Sequence, residues 1–236
     1  MNDATTTSSQ VMTFHVGGRD LEAYLARPRG EGDFPGVVVI HEIFGLNDNI
    51  REVADRFASE GYVAMAVDLF GDQNRAVCMT RMLGGMVLNP LEHGGVRDLH
   101  AALDRLMVTD GVDPARLGAI GFCLGGSLAI ALACTDARLK AVAPYYAMNP
   151  RPLSALRRAC PVVGSYPAQD FTARAGVKLD QTLTEYGVPH DIKVYAGTRH
   201  SFFNDRGTTF DQAASEDSWR RVMGFFGEHV RDYRRP

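Results

Sequence analysis

Short, wholly apolar runs alternate with segments of helical periodicity along nearly the whole sequence, and this alternation narrows the architectures open to the chain. Gly36–Ile40 reads G-V-V-V-I. It has no polar face, as expected of a strand buried on both sides of a parallel sheet. Asp48 opens a helical pattern through Ile50, Val53, Ala54 and Phe57 that stops at Gly61. Tyr62–Val67 is the next strand, and Val96–Met107 carries Val96, Leu99, Leu103 and Leu106 on one stripe. Leu117–Gly121 is a strand and Leu124–Cys134 an apolar helix. Leu139–Ala143, Pro161–Ser165 and Asp191–Tyr195 read as strands, and Asp170–Tyr186 and Trp219–Val230 as helices. Such a succession implies crossover connections and a mostly parallel central sheet with helices on both faces, an α/β fold. Val11–Val16 alternates and is followed by Gly17-Gly18 and Leu21–Ala26, which predicts an antiparallel hairpin. No internal repeat or low-complexity linker interrupts the pattern, so residues 11–236 read as one domain. Met1–Gln10 is polar and rich in Thr and Ser, and reads as a flexible leader without the basic and apolar segments of a signal peptide. Residues 71–95 are the least sheet-like and read as a candidate lid.

Charge excludes one class of partner. Lys and Arg number 25 against 28 Asp and Glu, a net charge of -3 over 236 residues. A nucleic-acid binder would carry a basic excess. No apolar stretch suggests a membrane span. The four cysteines, Cys78, Cys123, Cys134 and Cys160, form neither C-x-x-C nor a zinc-ligand pattern with His. Thiols so spaced fit a reducing, cytoplasmic setting and imply no metal.

The most informative stretch is Gly118–Gly126, G-A-I-G-F-C-L-G-G. An apolar strand runs through it directly into a helix, as in the G-x-S-x-G nucleophile elbow, with Cys123 in the place of Ser. Small residues on either side let strand and helix approach closely. Cys123 then sits at a helix N-terminus, where peptide dipoles favour a thiolate, and the Leu124 N–H is aimed at a developing oxyanion. The bland alternative is a glycine-rich turn around a buried Cys.

A thiol nucleophile needs a base, and the base an orienting acid. In the α/β-hydrolase order the acid and then the His follow the nucleophile. Downstream of Cys123 the histidines are His190, His200 and His229. His200 follows the C-terminal end of the strand Asp191–Tyr195, the edge where open α/β sheets gather ligands. His190 lies at the wrong edge and His229 in the last helix. Asp170 follows the end of the strand Pro161–Ser165 and is the candidate acid, with a helix N-cap as its structural alternative. Asp136, Asp180 and Asp191 are placed less well. The loop His41-Glu42-Ile43-Phe44 follows the first parallel strand. Ile43 is the candidate second oxyanion donor, and Glu42 a carboxylate able to share a proton with the thiol. H-E-x-x-H would need His at Gly45, so the zinc-protease reading fails.

Together, H-E-I-F-G-L at His41–Leu46, the block Gly61–Phe70, G-F-C-L-G-G at Gly121–Gly126 and H-S-F at His200–Phe202 resemble the dienelactone hydrolases (carboxymethylenebutenolidases), a branch of the α/β-hydrolases. The resemblance implies an α/β-hydrolase fold and a Cys123-His200-Asp170 triad. It implies that Glu42 takes the thiol proton as substrate binds, and that no cofactor or metal is used. It points to Arg81 and Arg206 for a substrate carboxylate. Tyr145 and Phe44 are further candidates for contact with a small ester or lactone. Arg75–Pro90 departs from the aromatic segment expected of chlorocatechol-pathway members. The expected molecule is a monomer or weak homodimer. A general carboxylesterase or thioesterase, or a non-catalytic thiol sensor, are the alternatives.

Overall fold

A computed structural model of the chain describes residues 7–71 and 75–233. Eight strands form one sheet in the order β1-β2-β4-β3-β5-β6-β7-β8. They are β1 (Thr7–Val16), β2 (Arg19–Pro28), β3 (Phe34–Ile40), β4 (Val63–Val67), β5 (Val112–Phe122), β6 (Leu139–Tyr145), β7 (Val162–Pro167) and β8 (His190–Tyr195). β1 and β2 form the antiparallel hairpin, and β2 joins β4 antiparallel. Every pairing from β4 through β8 is parallel.

The helices are α1 (Asp48–Ser59), α2 (Arg75–Leu88), α3 (Gly94–Met107), α4 (Leu124–Thr135), α5 (Ala173–Tyr186) and α6 (Gln212–Phe226). They cover the two faces of the sheet, as strand periodicity requires. In β3, Val38 and Ile40 face the core built with α3, α4 and α5, whereas Val37 and Val39 face the core built with α1 and α6. α4 is apolar nearly all round because it is buried nearly all round: every residue from Leu124 to Cys134 is buried. Among the described residues, no helix is long and apolar enough to cross a membrane.

One expectation changes here. The leader gives way to β1 at Thr7, because Thr7–Gln10 pair in register with Pro28–Leu25 and satisfy their backbone groups there. The rest of the leader lies outside the described residues. The segment 71–95 contains α2, which packs on α3 and places Cys78 and Met82 in the main core.

The second core is aromatic. Phe57 meets Trp219 edge-on at 4.8 Å between centroids and lies 5.9 Å from Phe226. Phe226 is fully buried. Phe226→Ala removes a ring that joins α6 to α1 and is expected to cost about 3–5 kcal/mol. Urea unfolding checks this as a lowered midpoint at unchanged slope.

Candidate active site

The C-terminal ends of β3, β5, β6, β7 and β8 converge on Cys123. The elbow holds its shape through contact of backbone with backbone. A methyl group on Gly121 would lie 2.1 Å from the Gly125 carbonyl oxygen, and one on Gly125 would lie 2.4 Å from that of Ile40. Only glycine allows α4 to begin so close to β5 and β3. Cys123 is thereby held at φ 55°, ψ -113°, a backbone conformation rarely occupied by an L-residue. Its own N–H is satisfied by the Tyr145 carbonyl at 3.1 Å.

Burial pushes the Cys123 thiol up to about 11, and the nearby carboxylates of Glu42 and Asp170 add to that. The Leu124 N–H hydrogen-bonds the sulfur and acts in the opposite direction. The resting thiol is therefore protonated near neutral pH. It becomes a nucleophile only when its proton has somewhere to go.

Asp170 and His200 are hydrogen-bonded, Oδ2 to Nδ1 at 2.6 Å. The Asp170 carboxylate also accepts from the Phe171 N–H at 2.6 Å and the Thr172 hydroxyl at 2.5 Å. α5 starts after Thr172, so Asp170 stands outside the helix that its sequence suggested it would open. The two loops are tied together below this pair by Ala168 N–H to Tyr195 O at 3.0 Å and Gln169 N–H to Thr198 O at 2.9 Å. The Thr209 hydroxyl donates to the His200 carbonyl at 2.6 Å.

Glu42 is 3% exposed, and a carboxylate so buried needs donors. The Ser201 hydroxyl supplies one at 2.7 Å, and the Tyr146 phenol lies close enough to feel the Glu42 charge. Tyr146 also lies 4.9 Å from His200, ring centroid to ring centroid. Burial, then the charge of Glu42, holds its phenol well above the usual range. The preceding residue, His41, is fully buried and serves as a pin. Its Nε2 accepts the Leu69 N–H at 3.0 Å and its Nδ1 bonds the Glu42 carbonyl, linking the loops after β3 and β4.

The structure thus brings Cys123, Leu124, Glu42, Asp170 and His200 together, with Ile43 half-buried in the same loop and Phe44 exposed on it. It does not bring Arg81, Arg206 or Tyr145 there. Arg206 is paired with Asp48 at 3.3 Å and with Glu52, both on α1. Arg81 is on α2 and lines a cavity of about 570 Å³ beside Arg19, His93 and Arg97; none of Cys123, Glu42, Asp170 and His200 lines it. Tyr145 obeys strand alternation and enters the aromatic core with Phe122 and Phe203. The next residue, Tyr146, breaks the strand at φ 39° and reaches the site instead. Sequence reasoning missed Tyr146, Ser201 and Phe171. Ser201 could have been found as the neighbour of His200 in H-S-F, and Tyr146 as the second residue of a Tyr-Tyr pair at a strand end. Cys78, Cys134 and Cys160 are free and lie in or against the main core, as packing residues do.

Iodoacetamide alkylation of Cys123 is expected to rise with pH toward a midpoint near 11. Glu42→Gln removes a negative charge and should move that midpoint down. Following modified peptide against pH by mass spectrometry checks both the value and the sign.

The model of the dienelactone hydrolase family matches residues 21–230. A protein of Saccharolobus solfataricus named "Putative carboxymethylenebutenolidase" is 31% identical, over 88% of this chain and 94% of its own. One of the same name from Escherichia coli K12 is 30% identical, over 90% and 84%. A dienelactone hydrolase-like promiscuous phosphotriesterase from metagenomic libraries superposes with a TM-score of 0.84 at 25% identity, covering 96% of this chain and all of its own.

Proposed function

Because the chain belongs to the dienelactone hydrolase family and has its hydrolase fold, we propose that it cleaves a small ester or lactone through Cys123, His200 and Asp170 with a thioester intermediate. The observation that carries this reading is the 2.6 Å bond between His200 Nδ1 and Asp170, in the loops beside a Cys held at a strained strand-to-helix turn. An imidazole so held is fixed in one tautomer, with Nε2 free to take and return a proton.

Substrate entry displaces water, and the Cys123 proton passes to Glu42 or His200. The sulfur attacks the carbonyl carbon, and the oxyanion that forms accepts the Leu124 N–H, with Ile43 as second donor. Each such donor is worth roughly 2.7–4 kcal/mol of barrier in acyl transfer. The C–O bond to the alcohol breaks, and the departing oxygen takes up the proton that left the thiol, directly from His200 or, where Glu42 received it, from Glu42 by way of His200. In a lactone that alcohol stays attached to the acyl group. Water then loses a proton to His200 and attacks the thioester carbon. The C–S bond breaks, the acid leaves, and the thiol regains its proton.

Glu42 is placed to receive the thiol proton because it is buried and close enough to the sulfur for its charge to act on it. Its charge raises the thiol while the site is empty. Protonating Glu42 therefore removes the group that most opposes a thiolate beyond burial itself. This coupling keeps the free enzyme unreactive and arms it only when substrate is bound.

Cys123→Ala is expected to abolish turnover of the best ester. Asp170→Asn should lower kcat by about 10⁴, the loss seen when an orienting carboxylate is replaced by an amide that selects the wrong tautomer. Steady-state assays give both numbers. Acid quenching followed by mass spectrometry should find an acyl group on Cys123, and turnover that survives Cys123→Ala overturns the proposal.

A further inference from the structure

Exposed apolar side chains stand on the loops that carry the site, and the charge acting on Cys123 is negative. Phe171, directly after Asp170, lies nearly parallel to the His200 ring at 14° and 5.6 Å between centroids. It is 71% exposed, so the face turned away from the imidazole is open. Phe44 stands two residues past Glu42 and is 54% exposed. Met148 is also exposed. Its N–H donates to Ser127 Oγ at 2.9 Å, and that hydroxyl donates to the Cys123 carbonyl at 3.3 Å. Three exposed apolar side chains thus stand on the loops after β3, β6 and β7, the same loops that carry Glu42, Tyr146 and Asp170. A water-facing ring stacked flat on a polar imidazole gains little from folding, because its outer face is not covered.

The charges point the same way. Glu42 and Asp170 already act on Cys123 as negative charges. Arg206, which could offset a further anion, is engaged by Asp48 and Glu52. Arg81 faces the separate cavity beside Arg19 and Arg97. A substrate carboxylate at Cys123 would meet two like charges, with Arg81 and Arg206 both turned elsewhere.

We infer that Phe171, Phe44 and Met148 form an aromatic subsite and that the preferred substrates are uncharged esters bearing an aromatic group, not carboxylate-bearing lactones. This rests on the proposed nucleophile and narrows its substrate class. Phe171 determines specificity by stacking on the substrate ring, while its other face rests on His200.

Matched acetates test it. Benzyl and ethyl acetate have alcohols of similar leaving ability, so their ratio of kcat/KM reports the ring contact. 4-(Acetoxymethyl)benzoate and its methyl ester differ in one charge. The wild type should favour benzyl over ethyl acetate, and the methyl ester over the free acid by at least about tenfold. Phe171→Ala should reduce the benzyl-to-ethyl ratio about tenfold, while Phe171→Tyr keeps it, which separates stacking from folding or imidazole placement. A ratio unchanged in Phe171→Ala, or a faster reaction of the charged acetate, overturns the inference. Cys123→Ala is run on the same substrates. If turnover persists there, the nucleophile assignment has failed; if it vanishes while the charged acetate is preferred, only the aromatic subsite has failed. No turnover of any of these acetates by the wild type overturns both.

Discussion

The first turn of α4 presses against the last residue of β3, and the site depends on that contact. A side chain at Gly125 would overlap the carbonyl oxygen of Ile40 at 2.4 Å. Without that approach, α4 would stand back from the sheet and Cys123 would have no reason to leave regular backbone. The same contact fixes the distance between two catalytic candidates of different origin. Glu42 lies two residues beyond Ile40, and Cys123 two residues before Gly125. One tight backbone junction therefore sets where a carboxylate and a thiol meet, with no side chain serving as spacer.

Three non-glycine residues have positive φ among those described: Cys123 at 55°, Tyr146 at 39° and Ser201 at 60°. All three lie at the site. Such conformations cost roughly 1–3 kcal/mol each and persist where the surroundings over-determine them. Here hydrogen bonds do so. The Cys123 N–H meets Tyr145 O, the Tyr146 N–H meets Ser165 O at 2.9 Å, and Ser201 Oγ meets Glu42. The strain and the restraints also converge on Glu42, which accepts the Ser201 hydroxyl and acts by its charge on Cys123 and Tyr146. Glu42 thus closes the network as well as charging it, and the aromatic core under β6 supplies the rigidity behind Tyr146.

Periodicity made the sheet legible. Apolar runs such as Gly36–Ile40 carry no polar face, and helices such as α1 keep their stripe. Cys123, Asp170 and His200 could be ordered because each follows a strand, and in a parallel sheet all such ends share one edge. Three things were not legible. Tyr145 and Tyr146 differ only in which side of a strand end they take, and alternation assigns sides only while the strand is regular. Arg206 pairs with α1 across more than 150 residues of sequence, a relation that local pattern cannot carry. α2 was obscured by Gly84-Gly85, which weakens a helix by about 1 kcal/mol per glycine; burial of Cys78 and Met82 supports it instead.

The apolar character of α4 has a consequence for how the chain is made. This helix has no face that tolerates water, and its burial requires β3, β5 and β6 beneath it together with α3 and the short turn Leu153–Arg158 beside it. Of these, β6 and the turn Leu153–Arg158 come after α4 in the chain, and the turn ends some twenty residues beyond it. While the ribosome is still adding them, the most water-averse segment of the protein stands uncovered. The nucleophile's own platform is thus the part of the newborn chain most in need of shelter.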